Sequence, residues 1–109
     1  MDQEAITDRA FLHLKTLQRL LMWGCDQATI TDAAFAPLAR LETLNISGCT
    51  QFSDKAFEPL SALREVAMQG CVNFTPAALQ LLPRLERIDA RGCTPELRKR
   101  ARALKLARV

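Results

Sequence analysis

Four cysteines stand at positions 25, 49, 71 and 93, separated by 24, 22 and 22 residues, and each follows a glycine. A thiolate is both a nucleophile and a metal ligand, so these residues are the first place to look for chemistry. Zinc sites draw their ligands in close pairs such as C-x-x-C that converge on one point. The long, even spacing here sets one thiol on each structural layer instead. If the layers are neighbouring strands, the thiols form a row about 4.8 Å apart. In such a row each small side chain can be buried and can donate weakly to a backbone carbonyl. The expectation is a structural ladder of free thiols, with no metal and no cofactor.

Other catalytic sets are equally thin. The one histidine, His13, lies between Phe11 and Leu14 in a segment expected to be helical, where it reads as a solvated surface residue. No Ser-His-Asp or Cys-His arrangement can be assembled around it. All four glycines precede cysteines, which leaves none for a phosphate-cradling loop. The chain is read as not an enzyme.

The elements that carry the cysteines repeat. Residues 6–25, 30–49, 52–71 and 74–93 are four similar segments of twenty residues, each ending in Gly-Cys. Self-similarity at a period in the low twenties marks a stacked architecture. This implies one domain over residues 1–109, with repeats at about 6–29, 30–51, 52–73 and 74–93. In each, a hydroxyl residue (Thr7, Thr31, Ser53, Thr75) is placed to cap a helix, and Asp8, Asp32, Asp54 or Pro76 begins its first turn. The acidic groups suit the positive end of a helix dipole and the proline supplies a preset φ. Phe11/Leu14, Phe35/Leu38, Phe57/Leu60 and Leu79/Leu82 then share one helix face. Pro37, Pro59 and Pro83 limit the helices to two turns at most.

After each helix the pattern becomes L-x-x-L-x-L-x-G-C, with residues alternating in and out as in a strand. The helices return the chain so that successive strands lie side by side and parallel. Thr94, Pro95 and Glu96 start a last helix over about 95–107, with Leu97, Ala101 and Leu104 on its inner face, as a cap over the final core layer.

The (I/L/F)-(T/S)-D start and G-C end resemble the cysteine-containing type of leucine-rich repeat, found in the repeat domains of F-box proteins and in bacterial repeat proteins. The match covers residues 6–93. It implies an α/β solenoid of about four repeats, with a parallel concave sheet, short convex helices and a role in protein binding. The 22-residue repeats are shorter than those of the F-box kind, and no F-box segment is seen, so coupling to a ubiquitin ligase is not implied.

The inner strand face is then the binding surface. Side chains alternating with the core are Arg19, Leu21 and Trp23, then Thr43, Asn45 and Ser47, then Glu65, Ala67 and Gln69, and last Arg87, Asp89 and Arg91. The leading contacts are Arg19, Leu21, Trp23, Asn45, Gln69, Arg87, Asp89 and Arg91. A solvent-facing Trp beside a Leu reads as a hot spot or a contact with a second copy, the other reading being cover by the N-terminal segment. Four strands exposing roughly five residues each give a patch near 250 Å², against about 800 Å² per partner in a standard stable interface. That size leaves short peptides, weak contacts or oligomerisation.

The net charge is +3, unevenly spread. Residues 1–93 hold nine Lys/Arg and eleven Asp/Glu, whereas residues 94–109 hold six basic residues against Glu96. Arg98, Lys99, Arg100 and Arg102 are the candidates for anionic contact. The tail has no interleaved aromatics for base stacking and only a narrow apolar face, so nucleic acid is a secondary expectation and membrane insertion is not expected. The start M-D-Q-E-A lacks the basic and apolar features of an export signal, and with it the reducing cytoplasm is the expected compartment.

Overall fold

A computed structural model describes residues 7–25 and 27–108; the expected first-repeat residue Ile6 lies outside the described residues. The chain is α/β, with one all-parallel sheet in sequence order. Its strands are β1 (Arg19–Leu21), β2 (Thr43–Asn45), β3 (Glu65–Ala67), β4 (Arg87–Asp89) and β5 (Ala107–Arg108), and between β4 and β5 runs the helix α1 (Pro95–Ala103). The molecule measures 47 × 26 × 20 Å.

Each of the first four strands is preceded by a 3-10 turn: Asp8–Phe11, Asp32–Phe35, Asp54–Phe57 and Pro76–Leu81. The turns start where the hydroxyl residues predict. Thr7, Thr31 and Thr75 accept from the backbone N–H two residues on, while Ser53 makes no such cap. In the second and third segments proline follows within two residues of the turn and keeps it from lengthening into an α-helix, while the first turn is as short with His13 at that position. In the fourth segment Leu81 replaces that proline and Pro83 comes later, and the turn runs six residues instead of four. The aspartates have a role that dipole arguments do not supply. Asp8, Asp32 and Asp54 each accept from the backbone N–H and the hydroxyl of the Thr or Ser one segment further on.

The strands pair in strict register. Arg19, Thr43, Glu65 and Arg87 form one row, Leu20, Leu44, Val66 and Ile88 the next, and Leu21, Asn45, Ala67 and Asp89 the third. The middle row faces the core, joined by Ile46 and Met68 and by columns of Phe and Leu from the turns. Phe35 meets Phe52 edge-on at 5.0 Å, and Phe57 stacks on Phe74 at 4.6 Å. Such aromatic pairs add roughly 0.5–1.5 kcal/mol beyond burial. Strands leave the sheet through tight turns in which all four glycines have positive φ, 74° to 79°. At Gly92 the space is closed as well, since a Cβ would sit 3.2 Å from the Gly70 nitrogen.

The C-terminal end differs from expectation. The helix stops at Ala103, not near 107. Lys105 takes a left-handed φ of 58°, the Leu106 N–H donates to the Ala101 carbonyl and the Lys105 N–H to that of Arg102. These two bonds form a Schellman C-cap, with lysine where glycine is usual. The chain then reverses into β5, whose Ala107 N–H donates to the Glu86 carbonyl. Leu97 and Ala101 pack into the last core layer, as expected of a cap, but Leu104 is 49% exposed and Leu106 packs against the core in its place.

Candidate functional site

The thiols are the simplest part to place. Cys49, Cys71 and Cys93 are buried and Cys25 is half-buried; none is in a disulfide. Each of the three buried thiols donates to a carbonyl of the preceding segment: Cys49 to Met22 at 3.1 Å, Cys71 to Ile46 at 3.2 Å and Cys93 to Met68 at 3.0 Å. The same carbonyls accept the backbone N–H of Cys25, Cys49 and Cys71. The thiol therefore occupies a second lone pair on an oxygen already held by a turn, which ties adjacent segments at the strand exits. Burial, with smaller contributions from the neighbouring thiols, pushes Cys71 up to about 12, and burial raises Cys93. Among the described residues no group of three or more His, Cys, Asp or Glu is placed to hold a metal ion. His13 is exposed.

Of the predicted binding residues, Arg19, Leu21, Asn45, Arg87 and Asp89 lie in rows on the sheet, whereas Trp23, Gln69 and Arg91 lie in the turns that leave it. Leu21 and Trp23 are exposed by 47% and 62%. Arg19 and Arg87 are also exposed. Asn45 is half-buried and turned to its own loop, its side-chain oxygen accepting the Ser47 N–H at 3.0 Å. Asp89 departs furthest from expectation, because it is 8% exposed and is a positioning residue rather than a free contact. Its carboxylate accepts from Arg91 Nε at 3.0 Å and from the Arg91 terminal nitrogen at 2.8 Å. The Gln69 amide donates to it at 2.6 Å and the Arg91 backbone N–H at 3.3 Å. The Arg91 bonds chiefly, helped by Gln69 and opposed by burial, hold the Asp89 carboxyl down at about 2. Asp89 thus fixes the orientation of two other members of the face, Gln69 and Arg91.

Among the described residues, two depressions adjoin these side chains. The first is a shallow groove over the glycine turns, floored by Gly24, Gly48, Gly70 and Gly92 and bounded by Trp23, Ser47, Gln69 and Arg91. Because the floor has no side chains, an approaching chain meets backbone there, flanked by one aromatic ring, two short polar groups and one guanidinium. The second is a cavity of about 440 Å³ between the end of β4 and α1, lined by Ile88, Asp89, Ala90, Arg91, Arg98, Ala101, Arg102 and Leu106. Arg91 borders both. Of the four basic tail residues singled out in the sequence, Arg98 and Arg102 line this cavity, while Lys99 and Arg100 are exposed elsewhere on the helix. The split arises from helical spacing, since residues four apart share a face and intervening ones do not. Nothing local in the sequence marks the apolar part of the lining, because Ile88 and Ala90 reach it from the sheet and Ala101 and Leu106 from the cap.

Among the described residues no helix is long and apolar enough to cross a membrane. In comparisons with known proteins, no family model matches the chain and no curated protein matches it significantly.

Proposed function

We propose that this chain is a leucine-rich-repeat solenoid of four repeats that works in the cytoplasm as a non-catalytic protein-binding module. It engages an extended segment of a partner across the strand face and the glycine groove. The observation that carries this reading is Trp23: a large ring, 62% exposed, at one end of a groove that ends at Arg91. A rigid core holds these side chains in place before binding, so little ordering is lost on association. Exposed Trp and Arg are the residue types that dominate interface energetics. The narrow face suits a peptide better than a globular domain.

A second reading is favoured by the exposure of Leu21, at the end of β1, together with Trp23 in the turn that follows, which leaves two large apolar side chains exposed at one end of the sheet. A second copy, or another subunit of an assembly, would cover them. Light scattering of the pure chain separates the two, a concentration-independent monomer opposing self-association. The main test is binding of purified candidates recovered by cross-linked capture, with wild type beside Trp23→Ala. At least a tenfold loss of affinity in the variant is expected, and an unchanged affinity would remove the groove from the interface.

A further inference from the structure

We propose that the cavity between β4 and α1 is a binding site for an organic anion: a carboxylate carried on an apolar body about the size of one aromatic side chain. The proposal does not depend on the strand face binding a partner.

The volume, about 440 Å³, falls within the roughly 300–1,000 Å³ of small-ligand sites. Its lining divides by chemistry. Ile88, Ala90, Ala101 and Leu106 are apolar, and Ile88 and Ala101 are themselves buried. The polar part is three guanidiniums and one carboxylate. The carboxylate is already committed, since both Asp89 oxygens are occupied by Arg91 and Gln69. Asp89 and Arg91 therefore cancel, and the charge left over belongs to Arg98 and Arg102. Neither has a carboxylate partner among the described residues.

Two like charges one helical turn apart repel, and an anion between them relieves that repulsion. The planar fork of arginine matches a carboxylate in bidentate geometry. A bare inorganic anion would leave the apolar lining unused, whereas a neutral hydrocarbon would leave the guanidiniums unpaired. A ligand with both parts satisfies the whole cavity.

The test uses the full, isotope-labelled chain titrated with 3-phenylpropanoate, its neutral amide 3-phenylpropanamide, and inorganic phosphate, followed by backbone amide NMR shifts. Saturable shifts confined to Ile88–Arg91, Arg98–Arg102 and Leu106 are expected with the carboxylate. The amide and phosphate should each bind at least tenfold more weakly. Arg98→Gln/Arg102→Gln should lose at least tenfold, while Trp23→Ala should bind as wild type does. Equal affinity for the amide or for phosphate, shifts spread over the surface, or a folded double variant that binds unchanged would each overturn the proposal. The ligand comparison on the native chain stands even if the double variant does not fold. Failure of partner binding in Trp23→Ala, with carboxylate binding intact, would bear on the strand face alone.

Discussion

Asp32 grips the segment after its own, its two carboxylate oxygens accepting the Ser53 backbone N–H at 2.9 Å and the Ser53 hydroxyl at 2.6 Å. Asp8 does the same to Thr31, and Asp54 to Thr75. The fourth segment has Pro76 at this position, and its successor in the stack is α1 rather than another such turn, so no acceptor is required there. The aspartates are ties between segments, laid along the row of 3-10 turns as the thiols are along the strand exits.

Asp32→Ala should therefore destabilise the chain by about 2 kcal/mol, because a hydrogen bond to a charged group contributes roughly 1.5–3 kcal/mol and this pair is only part-buried. Asp32→Asn should lose less, since its amide still offers an oxygen to the Ser53 N–H and the hydroxyl can reverse to accept. Urea unfolding midpoints of the two variants check this. An alanine variant as stable as wild type would mean that the pair contributes nothing.

Much of this architecture is legible in the sequence alone. The T/S-D start, the change to alternating hydrophobicity and the Gly-Cys end place the turns, strands and strand exits, and the spacing of the cysteines gives the register. What escapes is whatever depends on contact between segments. The aspartates look like first-turn residues because their partners are more than twenty positions away. The helix end is concealed because Lys105, not a glycine, adopts the left-handed conformation, which costs a non-glycine residue roughly 1–2 kcal/mol. Pairing of β5 with β4 and burial of Leu106 offset that cost. Asp89 sits on the outward parity of its strand, and its bonds to Gln69, one segment earlier, and to Arg91 are not visible from its own strand.

The buried thiols should be chemically silent in the folded chain. At pH 8 a thiol pushed up to about 12, as at Cys71, has roughly a thousandfold less thiolate than an ordinary cysteine. Iodoacetamide followed by peptide mass spectrometry should show Cys25 modified first. Cys49, Cys71 and Cys93 should react only at the rate at which the chain opens, and all four should react together in urea. Alkylation of Cys71 as fast as Cys25 under native conditions would contradict the ladder.

Asp89 should make the fold sensitive to acid. Its carboxyl is held down at about 2, from an ordinary 3.8, chiefly by the Arg91 hydrogen bonds. The folded state thus binds that proton less readily than the unfolded state. The contribution is complete above about pH 4 and is lost as the pH falls through the window down to about 2. At roughly 1.4 kcal/mol per pKa unit, the contribution at neutral pH is about 2 kcal/mol. Asp89→Asn should lose stability of this order at pH 7, and its stability should fall less steeply than that of wild type between pH 4 and 2. Urea midpoints at pH 7, 4, 3 and 2 measure both. Parallel profiles for the two proteins would show that the Asp89–Arg91 pair gives the fold no net support, and that the orientation of Gln69 and Arg91 is set by something else.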